Sequence, residues 1–234
     1  MKKIIGFGDS FVRGAEQKHN NDGSKGWIAR AAKNLNCEYY TLAKDGCSNE
    51  HIARQIYTWF SENSTIDTLA VVNWTWMSRW DCYMYEHKQW ITVGTTCIPK
   101  YLEHLVSETQ AEDIVNFYNS RLNKSILWNK LRNLQTMYAV QSYLKQKNII
   151  SIQTYMDYDM FDINCEHYDL TPDYINELQK LVYPELQLFE GQNFIDWARK
   201  KGFTVTNKGL HPLEDAHISA AELWQDRYAT ALNI

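Results

Sequence analysis

Short apolar runs alternate along this chain with stretches in which apolar residues recur every three or four positions. KKIIGFG, residues 2–8, is apolar and closed by glycine, the pattern of a buried strand. A polar stretch through HNNDGSKG leads into WIARAAKNLN, whose spacing and strong helix formers predict a helix. CEYYTLA predicts a second strand. The turn-rich KDGCSN follows, with Ser48 or Asn49 as the cap of a helix through EHIARQIYTWF. IDTLAVVNW, the most apolar run of the set, predicts a third strand. Strand, helix, strand, helix, strand within the first 75 residues is the pattern of βαβ units and a parallel sheet, hence an α/β fold.

Beyond the third strand the pattern loosens. Trp76 to about Thr109 is an aromatic-rich insertion with no assignable element. Residues 111–148 contain neither Pro nor Gly and keep apolar spacings of three and four, which predicts one long helix or two consecutive ones. IISIQTYM predicts a fourth strand. Residues 157–190 are acidic and aromatic, broken at Pro172 and Pro184, and predict loops and short helices over one end of the sheet. NFIDWARKKG reads as a helix ending at Gly202, and HPLEDAHISAAELWQDRYATAL as the closing helix. No repeat, low-complexity tract or linker interrupts residues 1–234, so one domain is expected.

A chain of 234 residues buries about 70 to 75% of its unfolded surface, so it needs neither disulfides nor a structural metal. The net charge is -4, from 24 basic and 28 acidic residues without a basic stripe, which argues against nucleic acid as a partner. The five cysteines, Cys37, Cys47, Cys82, Cys97 and Cys165, are widely spaced with no C-x-x-C pair. They suggest neither a disulfide framework nor a zinc site, and fit reduced thiols in the cytoplasm. The first apolar run is too short for a signal-peptide core, and no run approaches the roughly 20 apolar residues that span a bilayer. No membrane partner and no cofactor is implied. Nine Trp and fifteen Tyr suit sugar or apolar ligands as well as a core.

The candidate chemistry begins where the first strand ends, in FGDSF. Ligands of open parallel sheets bind beyond the carboxyl ends of the strands, and Gly8 permits a sharp turn that presents Ser10 there. A serine nucleophile needs a base within hydrogen-bond reach and amide donors for the oxyanion. The loop AKDGCSN offers Gly46 as an unobstructed amide, and GLHPLEDAH places His211 just before the last helix, with Pro212 setting the turn. FGDSF, the glycine-bearing second loop and a His-Pro before the final helix together resemble the SGNH or GDSL hydrolases. That resemblance implies a three-layer α/β/α sandwich with a central parallel sheet, Ser10 as nucleophile, the Ser10 and Gly46 amides as oxyanion donors and His211 as general base. The WT-x-x-x-R segment after the third strand is also similar in texture to SGNH-like proteins of tailed bacteriophages, which would place the protein in a host cytoplasm or on a virion.

Two departures from that pattern stand out. The family's Gly-x-Asn-Asp after the third strand is absent from NWTWMSR, leaving Asn73 or Thr75 as candidate side-chain donors. In Asp-x-x-His the acid should occupy position 208, which is Lys208. A Ser10/His211 dyad is one consequence, with an acid from elsewhere or a backbone carbonyl orienting the ring. The other is a site in which Glu214 and His217, spaced E-x-x-H, take the base and orienting roles. His211 is preferred because His217 falls inside the predicted helix.

Asp9 is expected to bond loop amides and hold Ser10. Arg79 is expected near the cleft, as an anchor for an anionic or hydroxyl-rich substrate or as a surface ion pair. Trp74, Trp76, Trp80 and Trp90 are candidates for a sugar-stacking wall, or for core. His51, His87, His104 and His167 show no ligand spacing, and DYDMFDINCEHYD lacks the glycine and spacing of a calcium loop. The expected activity is hydrolysis of an acetyl or short acyl ester on a carbohydrate-like substrate through an acyl-Ser10 intermediate. A binding or structural protein that has lost activity, and an acyltransferase, are the alternatives.

Overall fold

In the computed structural model, residues 1–17, 22–95, 97–161, 172–207 and 209–234 are described. Cys165, His167 and most of the acidic run, together with Lys208, lie outside the described residues. Four strands, β1 (Lys3–Phe7), β2 (Glu38–Thr41), β3 (Thr68–Trp74) and the later Ile150–Tyr155, form a sheet in which every neighbouring pair is parallel. Two hairpin strands, Trp80–Met84 (β4) and Gln89–Val93 (β5), precede Ile150–Tyr155, which is therefore β6, and the sheet order is β2-β1-β3-β6. All seven residues of β3 are buried. A central parallel strand is covered on both faces, which is why its sequence reads as a continuous apolar run rather than an alternation.

Side chains of successive strand residues point to opposite faces. Ile4, Leu69, Val71 and Ile152 join one core, under α2 (Trp27–Asn34) and α8 (Glu214–Leu232), with α7 (Phe194–Lys200) beside them. Ile5, Phe7, Ala70, Val72 and Trp74 join the other, under α3 (Asn49–Glu62) and α5 (Ile126–Gln146), with α6 (Asp173–Val182) at its edge. The result is a three-layer α/β/α sandwich. Gln187 adds one rung at the β6 edge, donating its N–H to Gln153 O at 2.8 Å.

Residues 111–148 form two helices, α4 (Glu108–Phe117) and α5, separated by a π-turn over Tyr118–Leu122. The insertion is ordered as a β-hairpin, β4 (Trp80–Met84) with β5 (Gln89–Val93), followed by a 3₁₀ turn at Pro99–Tyr101. Ile91, Val93, Leu102, Val106, Ala111, Val115 and Tyr118 give it a separate small core with α4. Two arginines tie it to the sandwich. Arg54 of α3 pairs with Asp81 and lies 4.1 Å over the Trp90 ring. Arg132 of α5 pairs with Glu50, lies 4.0 Å over Trp80 and donates to Met77 O and Arg79 O.

These contacts correct the stacking wall. Trp74 is fully buried in one core, Trp76 packs against the opposite one, and Trp80 is capped by Arg132. The four indoles therefore serve different packing surfaces. No helix among the described residues is long and apolar enough to cross a membrane.

Candidate active site

The loops after β1, β2, β3 and β6 meet at the carboxyl edge of the sheet. β1 stops at Phe7 because Gly8 must pass close to its neighbours: a Cβ there would lie 2.5 Å from Val12 Cγ2 and 3.1 Å from Asn73 O. Asp9 then caps a single helical turn, α1 (Ser10–Arg13), its Oδ1 accepting the Phe11 N–H at 3.1 Å. Its Oδ2 accepts from Thr75 Oγ1 and from Arg79 Nη1, both at 2.7 Å. Asp9 has no solvent exposure, and removing a single partner from such a pair leaves an uncompensated buried charge, costing about 3–5 kcal/mol. Arg79 Nη1 also donates to Cys47 O at 3.0 Å and to Thr75 Oγ1. Arg79 and Asp9 therefore tie the loops after β1, β2 and β3 together.

The segment after β3 is held by side chains to which the sequence pattern assigned no such role. Asn49 brackets Thr75, accepting its N–H at 2.7 Å and donating to its carbonyl at 3.1 Å. Asn133 of α5 donates to Met77 O at 3.0 Å, and the Asp157 carboxylate accepts the Met77 N–H at 2.9 Å. Burial pushes the Asp157 carboxyl up to about 6. Asn73 lies within β3, on the face of Leu69 and Val71, its amide buried without a hydrogen-bond partner. The Thr75 hydroxyl is committed to Asp9. The Thr75 hydroxyl is therefore spent, whereas the Asn73 amide is unspent but sealed from solvent within the strand.

Ser10 begins α1 and is nearly buried. Its Oγ lies 2.7 Å from His211 Nε2. The imidazole packs against the Phe11 ring, centroids 4.7 Å apart. The His211 N–H donates to Thr206 Oγ1 at 3.1 Å, and its carbonyl accepts the Thr206 N–H at 2.9 Å, so a narrow ladder over Val205–Pro212 presents the ring. On the far side, Glu16 Oε2 stands 3.3 Å from His211 Nδ1. This is ion-pair range but off the line of an aligned hydrogen bond, and Nδ1 is buried with no other partner. Glu16 is a residue that sequence reasoning missed, because nothing in its local pattern marks it.

The Ser10 and Gly46 N–H groups make no hydrogen bond among the described residues. Gly46 is exposed and has φ 72°, with nothing within 4 Å of where a Cβ would be. Cys47, beside it, donates its thiol to Gly8 O at 3.3 Å, and burial pushes the thiol up, away from a reactive thiolate.

His217 occupies a different environment. It is fully buried in α8, its Nδ1 accepts the Trp27 N–H at 3.0 Å, and its ring meets Phe194 edge-on at 4.9 Å. Trp27 opens α2 behind Gly26, which offers no side-chain cap, so His217 satisfies an otherwise orphaned helix N–H. Burial pushes the ring down to about 3, keeping it neutral. Glu214 pairs with Arg30 at 2.6 Å. The E-x-x-H alternative is therefore excluded: both of its members are engaged in joining α2 to α8. Among the described residues no cluster of three His, Cys, Asp or Glu side chains is placed to hold a metal ion.

No family model matches this chain, and no curated protein matches it. Solved structures do. The psychrotrophic esterase EstA from Pseudoalteromonas sp. aligns over the whole of both chains with a TM-score of 0.55 at 11% identity. An acetyl xylan esterase from Butyrivibrio proteoclasticus aligns over 99% of this chain and 64% of its own, with a TM-score of 0.51 at 13% identity. A lipase from a goat rumen metagenome aligns over 98% and 97%, with a TM-score of 0.50 at 11% identity. At such identities the likeness is one of fold alone: the chain shares the architecture of these two esterases and this lipase.

Proposed function

We propose that the protein is a serine ester hydrolase with Ser10 as nucleophile and His211 as general base. The observation that carries this reading is the 2.7 Å contact between Ser10 Oγ and His211 Nε2, at the edge of the sheet where this fold binds ligands. His211 Nε2 takes the hydroxyl proton as Ser10 Oγ attacks the ester carbonyl. The oxyanion that forms is met by the Ser10 and Gly46 amides. Collapse of the tetrahedral species expels the alcohol, which receives the proton from His211 and leaves an acyl-Ser10. Water, deprotonated by the same ring, hydrolyses the acyl-enzyme and regenerates the hydroxyl.

The substrate we assign is an acetyl or other short acyl ester on a carbohydrate-like alcohol. It agrees with the acetyl xylan esterase among the structures of like fold. With the Asn73 amide inside the strand and Thr75 committed to Asp9, the hole has two donors rather than three. A single donor is worth about 10²–10³ in kcat, so turnover should be slow for this fold.

Hydrolysis of p-nitrophenyl acetate by the purified protein tests the reading. Wild type should release p-nitrophenol above the buffer rate, and Ser10→Ala should return it to that rate. Release that is absent in wild type, or unchanged by Ser10→Ala, supports the alternative of a fold kept for binding or structure.

A further inference from the structure

We infer that Glu16 is the acid that orients His211, so that the triad runs Ser10, Glu16, His211 with its acid six residues after the nucleophile. This rests on Ser10 acting as the nucleophile. An imidazole that accepts the Ser10 proton on Nε2 carries its own proton on Nδ1, and that N–H needs an acceptor. Nδ1 is buried and has no hydrogen bond, while Glu16 Oε2 stands 3.3 Å away. Position 208, where the resemblance calls for the acid, carries Lys208.

The backbone on both sides is shaped around this contact. α1 lasts one turn and ends at Gly14, whose N–H returns to Ser10 O, and Ala15 N–H bonds the same carbonyl at 2.9 Å. The next residue, Glu16, has φ 63°, a left-handed conformation that costs a non-glycine residue about 1–2 kcal/mol. Leu210, just before His211, has φ 56°. One of these residues is a partner of the contact and the other precedes its second partner in the chain, and local strain of this kind clusters at functional sites.

Gly209 supplies an independent observation. A Cβ at that position would lie 2.2 Å from His211 Nδ1, 2.6 Å from its Cε1 and 2.7 Å from Glu16 Oε1. The glycine leaves the space that the ring and the carboxylate share, and any larger residue would force them apart. The Glu16 side chain is 39% exposed, so as an ion pair it contributes little to stability. Its effect is on the ring: a carboxylate at Nδ1 selects the tautomer that leaves Nε2 free to accept, and stabilises the imidazolium formed during attack. Such contacts are often long without substrate and tighten in the reacting complex.

The test compares wild type, Glu16→Gln, Glu16→Asp and Ser10→Ala in the full chain, with p-nitrophenyl acetate as probe. Glu16→Gln should lower kcat about 10²-fold with KM within about twofold, the signature of an interaction made mainly in the transition state. Glu16→Asp, which keeps the charge on a shorter stem, should recover part of the loss. A hydrogen-bonded imidazole N–H resonance in the proton NMR spectrum, assigned by its loss in His211→Asn, should move or vanish in Glu16→Gln and persist in Ser10→Ala. Unchanged kcat and resonance in Glu16→Gln, beside an inactive Ser10→Ala, would overturn the role of Glu16 and leave the hydrolase intact. Turnover indifferent to Ser10→Ala would remove the nucleophile, and the triad with it, while the resonance still reports whether Glu16 meets the ring.

Discussion

Two histidines six positions apart meet opposite surroundings. His217 is sealed between α8, Trp27 and Phe194, its ring nitrogen spent on a helix N–H and its ring held neutral by burial. His211 sits on a loop with one nitrogen against the Ser10 hydroxyl and the other toward a carboxylate. What separates a histidine that cements two helices from one suited to move a proton is where its two nitrogens are directed, and not burial alone.

The largest expected effect follows from that contrast. His211→Asn removes the only ring contacting Ser10 Oγ among the described residues, and kcat for p-nitrophenyl acetate should fall by about 10³-fold or more, as when one member of a working triad is lost. His217→Asn should leave kcat within about threefold, since Asn Oδ1 can still accept the Trp27 N–H. Equal losses in the two variants would erase the distinction.

A smaller effect appears in stability. The folded state holds His217 neutral down to about pH 3, whereas the unfolded chain protonates it near the ordinary histidine value of about 6.5. Between those values the unfolded state binds more protons, so stability falls as pH falls, by up to about 1.4 kcal/mol per pH unit. Asp157 acts with the opposite sign: its carboxyl is raised to about 6, so the stability it contributes is present at low pH and lost as pH rises through that value. The difference between wild type and His217→Asn therefore isolates the histidine. In urea unfolding at pH 7 and pH 5, wild type should lose more stability on acidification than His217→Asn. Parallel losses would show that His217 does not titrate as a buried ring.

The parallel sheet and the helices that cover it were legible because they are written in local patterns. β3 reads as continuously apolar because it is covered on both faces, and α2, α3 and α8 read as helices from their spacing. FGDSF at the end of the first strand and His-Pro before the last helix pointed to Ser10 and His211 only together with the resemblance they carry. What stayed hidden depends on partners distant in sequence. Asn49 meets Thr75 across 26 positions, Asn133 meets Met77 across 56, and Asp157 meets Met77 across 80, so no local pattern announces the bracket around the segment after β3. Glu16 was hidden for another reason. It is close to Ser10 in the chain, but only the reversal at Gly14 and the approach of the 205–212 loop turn it toward an imidazole. The hairpin strands escaped because their alternation serves a small separate core and two arginine-capped indoles rather than the main sheet.

Covalent labelling tests the central claim most directly. Treatment with an organophosphonate ester probe, followed by peptide mass spectrometry, should find one adduct on the peptide containing Ser10, absent from Ser10→Ala and formed far more slowly in His211→Asn. An unlabelled Ser10 in the wild-type protein, or labelling that proceeds at the same rate without His211, would contradict a serine activated by that histidine.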